Sequence, residues 1–245
     1  MLGLLVIIVV SWVLLHFIEK KNIEVLGIIP YGNRIVQFLI GLVFIMLITL
    51  LNIYIETIVL KIDWQLKTSI KYNQIFNALI YHIRSALTED LLFRGAILYI
   101  LISRLGAKWG ILISALCFGA YHVFSYGMTG ERIIPILYVI LITGFTGYVW
   151  AYTFYKTNSI LLALGFHLGV NLMNTFFFES QPYGELIFEA TTKVQLIDWY
   201  WLSFNLFKGL FPSLMMFIFV KLLLRIDLKI FHTKQQIESH ESIIK

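Results

Sequence analysis

The chain has 245 residues, of which 59% are hydrophobic and 13% charged, with a formal charge of +5 and a mean hydropathy of +0.83. Soluble domains carry about 25% charged residues, so this composition excludes a soluble globular protein and describes an integral membrane protein. Lys and Arg in cytoplasmic loops account for the net charge, no basic aromatic-interleaved patch points to nucleic acid, and the single Cys117 excludes a disulfide framework or a Cys-based zinc site within the chain.

The opening MLGLLVIIVVSWVLLHFIEKKN lacks the basic region and small-residue cleavage site of a signal peptide, and is expected to stay as a first helix over 2–18. About 20 apolar residues cross a bilayer, and the second such span is expected at 35–60. The more polar KIDWQLKTSIKYNQ (61–74) reads as a segment lying along the interface. A third span follows from 75 to about 102. SRLGAKWG (103–110) reads as a turn with Gly106 and Gly110 as breakers, and a fourth span covers 111–126. The fifth starts at Pro135, a good first-turn residue, and ends near Tyr155. The sixth covers 160–178, the polar loop 179–198 follows, and the seventh covers 199–221.

The expected fold is therefore all-α, a polytopic transmembrane helical bundle of about seven spans. It forms a single integral membrane domain over 1–245 that ends in a charged tail over 222–245. The positive-inside bias puts the tail inside, together with the loops carrying Lys20, Lys21 and Arg34 and carrying Arg104 and Lys108. The acidic loop 179–198 then lies outside, and Lys61, Lys67 and Lys71 run against this assignment.

ALTEDLLFRGAILYIL (86–101) places two acids and an arginine in an apolar run, where a charge at the bilayer centre costs roughly 2.5–3.5 kcal/mol. Asp90 and Arg94 are four residues apart and share a helix face, so they can pair. Glu89 lies about 100° round from Asp90 on a 3.6-residue period, without a local partner. Two readings fit: Glu89 is a general base facing the bundle interior, or the three form a structural ion-pair cluster at a helix end. CFGAYHVF (117–124) adds His122, which as a lone histidine is either functional or a satisfied hydrogen-bonding residue. GFHLGVNLMN (165–174) stacks His167 and Asn171 four residues apart, with Asn174 nearly a turn further. They form either an interhelical hydrogen-bond seam or a pair of donors for an oxyanion. By depth in antiparallel spans, Glu89, His122, His167 and Asn171 are expected to meet in one internal cavity.

EDLLFR (89–94), FGAYH (118–122) and HLGVN (167–171) together resemble the CPBP family of intramembrane glutamic endopeptidases, which includes the eukaryotic CaaX prenyl proteases and bacterial Abi proteins. That family carries Glu-Glu-x-x-x-Arg, Phe-x-x-x-His and His-x-x-x-Asn motifs on successive core helices. The resemblance covers roughly 75–178 and implies a catalytic core of about four helices. Asp90 departs from it, standing where the family usually has a second Glu, and is one methylene shorter but still able to pair with Arg94. By this resemblance Glu89, helped by His122, activates a water for attack on a peptide carbonyl. His167 and Asn171 stabilise the oxyanion, Asp90 and Arg94 brace the helix, and no metal or other cofactor is required. It further implies a peptide or membrane-protein substrate, in bacteriocin immunity, peptide-signal processing or CaaX-like processing, and a bacterial plasma membrane as the setting.

Other classes compete with this expectation. Glu89, His122 and His167 could make a carboxylate-plus-two-His zinc site, although the sequence has no HExxH. A serine hydrolase lacks its Gly-x-Ser-x-Gly elbow. A proton-coupled transporter would use Glu89 as a relay, but paired broken helices in matching halves are missing. The main alternative is a non-catalytic immunity or scaffold protein that binds a peptide or membrane partner.

Overall fold

The computed structural model describes residues 2–29 and 31–226. Seven α-helices follow in order: α1 (Leu2–Leu14), α2 (Tyr31–Leu60), α3 (Tyr72–Arg94), α4 (Ala96–Ser125), α5 (Ile133–Thr157), α6 (Leu161–Phe177) and α7 (Asp198–Arg225). The fold is an all-α helical bundle. Among the described residues, five stretches are long and apolar enough to cross a membrane: 2–19, 23–60, 72–125, 133–157 and 198–225; α6 is shorter. Residues 222–225 of the expected tail complete α7, and 227–245 lie outside the described residues.

Several boundaries differ from expectation for local reasons. The expected third span breaks at Gly95, where a Cβ would lie 2.1 Å from the Leu91 carbonyl oxygen. Gly106 makes the turn inside α4 with φ of 79°, a left-handed conformation that suits glycine. Gly110 is not a breaker. It is helical and buried where the two arms of α4 close on each other, and a Cβ there would meet Ile102 at 2.9 Å. Within segment 61–74, Asp63–Leu66 is a strand, β1, antiparallel to β2 (Phe188–Thr192) in the long polar loop. Pairing satisfies backbone groups that two loops near an apolar phase would otherwise leave open. Arg34 is not a loop charge. It is 3% exposed within α2 and donates to the Thr157 carbonyl at the end of α5, so it drops out of the charge count used for orientation.

Two interfaces position the centre of the bundle. Helix α2 lies against α6 through Gly41, Gly165 and Gly169, small residues that let backbones approach closely. At Gly165 a Cβ would stand 2.3 Å from the Phe38 carbonyl oxygen. Gly165→Ala should therefore destabilise the protein by about 1–3 kcal/mol through overpacking, against a helix-propensity gain of roughly 1 kcal/mol; unfolding in detergent measures the balance, and the expected sign is a loss. Helices α4 and α5 pack as closely, around Phe118 and Trp150, which share a core with Phe166 of α6 and Met216 of α7.

Candidate active site

Helix α3 turns one stripe inward: Ala78, His82, Ala86, Asp90 and Arg94 are all buried at four-residue spacing. Asp90 and Arg94 form an ion pair within the helix, with side chains 1% and 0% exposed. The Arg94 guanidinium also lies over the rings of Phe118 and Trp150, 4.2 and 4.8 Å from their centroids. These aromatic faces supply the attraction that hydrogen bonds do not, since Nε and Nη1 of Arg94 find no hydrogen-bond partner among the described residues.

Glu89 occupies the next stripe. The expectation that it lacks a local partner fails, because the Ser85 hydroxyl, one turn earlier, donates to its Oε1 at 3.1 Å. Its Oε2 is 3.9 Å from His122 Nε2 and 3.8 Å from His167 Nε2. The structure thus brings together residues from α3, α4 and α6 that are far apart in sequence.

The two histidines are held in different ways. His122 Nδ1 is 2.8 Å from the Phe118 carbonyl oxygen, four residues earlier. A carbonyl only accepts, so Nδ1 carries the hydrogen, and a neutral ring presents the Nε2 lone pair toward Glu89. His167 is 5% exposed; its Nδ1 is 3.3 Å from Asp90 Oδ1 and its ring stacks on Trp150 at 4.4 Å and 29°. An ionised Asp90 likewise accepts, so it fixes which edge of His167 faces Glu89. Asp90 therefore does more than brace α3, because it aligns a ring on another helix. Ser85 was legible as a four-residue neighbour of Glu89. Trp150 carried no signal, because nothing local marks which aromatic of α5 will stack.

His122, His167 and Asn171 line a cavity of 370 Å³ closed by α2, α5 and α7. Glu89 itself borders a neighbouring open space of 510 Å³, together with Gly3, Leu4 and Ile7 of α1 and Tyr121. Of the four groups expected in one cavity, His122, His167 and Asn171 share this lining, and Glu89 comes within 4 Å of both histidines from the neighbouring space. Asn171 is partly buried, and its carbonyl accepts from Thr175, whose hydroxyl is in turn 2.8 Å from His82 Nε2. Among the described residues no group of three His, Cys, Asp or Glu side chains is arranged to hold a metal ion.

Residues 71–173 match the family model described as Rce1-like, type II CAAX prenyl endopeptidase Rce1-like. The matched segment contains all three motifs, and the match bears out the resemblance they carry. No curated protein and no solved structure matches the chain.

Proposed function

On the premise that residues 71–173 are the core of a protein of the CPBP/CaaX protease family, we propose that the chain is an intramembrane endopeptidase in which Glu89 activates water. The observation that carries this reading is the approach of both imidazoles to one carboxylate, with Glu89 Oε2 3.8 and 3.9 Å from the two Nε2 atoms. Those gaps are too long for direct hydrogen bonds and suit a water held among the three groups. Glu89 takes the proton as the oxygen attacks the substrate carbonyl, and His122 orients the water through Nε2. The new C–O bond forms a tetrahedral oxyanion. With a proton on Nε2, His167 donates to that oxygen, together with the Asn171 side-chain amide from the cavity side. Glu89 then returns the proton to the leaving nitrogen as the C–N bond breaks, which balances the hydrolysis without another reactant.

Depth in the membrane supports a substrate that is itself a peptide or membrane protein reaching the site through the bilayer. The opening beside α1 supplies an approach to Glu89, and the cavity under α7 supplies a bed for the chain around the scissile bond.

The test is cleavage by the purified full chain in proteoliposomes, followed on a pool of apolar peptides. Asn171→Ala should lower kcat by about 10²–10³, the loss typical of one oxyanion donor, with KM little changed. An unchanged rate removes Asn171 from the site. Activity abolished by a chelator and restored by zinc would favour a metal-dependent reading over this one.

A further inference from the structure

The polar groups lining the cavity of His122, His167 and Asn171 fall into two sets. One set is used inside the protein. Thr143 and Thr146 donate to carbonyls of their own helix, the Tyr138 hydroxyl donates to the Asn205 carbonyl, and Lys208 Nζ is paired with Glu56 Oε2 at 2.6 Å. The other set is three side-chain amides, those of Asn171, Asn174 and Gln181, which make no hydrogen bond among the described residues. Thr49 Oγ1 and Asn52 Oδ1 of the same lining are also unpartnered, but they are buried within the wall, whereas no amide atom of these three is.

Gln181 lies in the loop that follows α6, and the fold fixes that loop closely. The Gln181 N–H donates to the Phe178 carbonyl, and its own carbonyl accepts from Gly184. His82 Nε2 is 3.2 Å from the Pro182 carbonyl oxygen and 2.8 Å from Thr175 Oγ1. The Thr175 hydroxyl gives its hydrogen to the Asn171 carbonyl, so both oxygens near His82 accept and Nε2 carries the hydrogen. One buried histidine therefore ties the loop to the turn of α6 that bears Asn171. The N–H groups of Leu186 and Ile187 add bonds to the Thr175 and Phe176 carbonyls. Tyr183 and Glu185 take left-handed backbone, with φ of 60° and 52°, a strained state that persists only where the surroundings impose it. The strain and the bonds together hold Gln181 in the cavity wall, yet its amide bonds to nothing in the protein.

A carboxamide carries a donor, an acceptor and no charge, which complements a peptide group. Lys208 is already neutralised by Glu56, so it offers little to an ion. An extended chain inside a membrane protein has N–H and C=O groups that neither a helix nor lipid satisfies. Asn174 is three residues beyond Asn171 on the same face, about 4.5 Å further along α6 at 1.5 Å per residue. An extended peptide advances about 3.3 Å per residue, so Asn174 meets a peptide group one or two residues from the carbonyl at Asn171.

Resting on the endopeptidase reading, we infer that Asn174 and Gln181 form a main-chain clamp, in which their side-chain amides bind peptide groups of an extended substrate on the loop side of the bond cut. The clamp reads an unwound backbone rather than a side chain, and His82 is the positioning residue that holds Gln181 to it.

The test measures binding apart from cleavage. The parent probe is a dansyl-labelled, C-terminally amidated hexapeptide of Ala and Leu. A second set carries one N-methyl group at each successive position, and a further probe has one Ala replaced by Gln. All are titrated by fluorescence anisotropy against the full chain carrying Glu89→Gln in lipid nanodiscs. Gln181→Met and Asn174→Leu keep the shape and break no bond within the protein, so the unfolding midpoint in detergent should stay in place. Each should nevertheless weaken the parent about fivefold, the effect of one ordinary hydrogen bond. N-methylation at one or two positions should cost about the same factor, and each such penalty should vanish in one of the two variants. Methylation also alters the free peptide, so the cycle rather than the bare penalty is read. Penalties that persist in both variants, methylated probes that all bind like the parent, or a parent that does not bind overturn the clamp. Tighter binding by the Gln probe alone, lost in Gln181→Met, overturns it in favour of a side-chain pocket. With Glu89 restored, the parent probe reports cleavage by mass spectrometry: coupling without cleavage sinks the peptidase reading alone, and cleavage without coupling sinks the clamp alone.

Discussion

Glu89→Gln is expected to lower peptide turnover by the purified chain by about 10²–10⁴-fold, the range a positioned general base contributes. The substitution is close to isosteric, and the amide oxygen still accepts from the Ser85 hydroxyl that holds Oε1. What it loses is the ability to take a proton from water. Glu89 is also not the partner of Arg94, which is paired with Asp90, so the swap leaves no buried cation unmatched. Thermal unfolding in detergent should therefore move little while kcat collapses. A parallel fall in stability and activity would mean that Glu89 is structural, the reading that the sequence alone left open.

Arg94→Ala carries the largest expected effect on stability. Its side chain is 0% exposed, pairs with a carboxylate that is 1% exposed, and lies over Phe118 and Trp150. Removing one member of a buried pair costs about 3–5 kcal/mol, because the other is left charged and unmatched. Here the orphan would be Asp90, which also holds His167. The variant should unfold at markedly lower denaturant and lose activity with it. Combining Arg94→Ala with Asp90→Asn should cost less than the sum of the two single changes, since the neutral amide needs no counter-charge. Additivity in that cycle would show that the pair contributes nothing beyond its separate side chains.

The candidate site was legible in the sequence because charge in an apolar run is costly and therefore conspicuous. Glu89, Asp90 and Arg94 stood out on that ground alone, and helix periodicity correctly paired the last two. His122, His167 and Asn171 were legible as isolated polar groups at helical spacing. The link from Asp90 to His167 was not, because it joins residues 77 apart and depends on how α3 and α6 pack. The same holds for the space beside α1 that Glu89 borders, which depends on how α1 packs against α3. Glycines were read as breakers from local rules. Gly106 obeyed the rule, whereas Gly110 serves a close approach between the two arms of α4, which only the folded packing defines. The short β1–β2 pairing escaped notice for a similar reason: its two strands are more than a hundred residues apart, and neither is long or strongly alternating. Glu56 and Lys208 were overlooked because each is a single charge on a different helix, and their ion pair exists only across α2 and α7.

The most direct test of water activation by Glu89 is a comparison, by mass spectrometry, of peptides released from membranes that hold the wild-type chain or Glu89→Gln at equal abundance. Defined fragments that appear only with the wild type, each with a fresh C-terminus at a fixed position, are the predicted result, and they identify the substrate and the bond cut. Identical peptide profiles, with any cellular effect of the protein surviving the substitution, would contradict the account and leave a membrane protein that binds rather than cleaves.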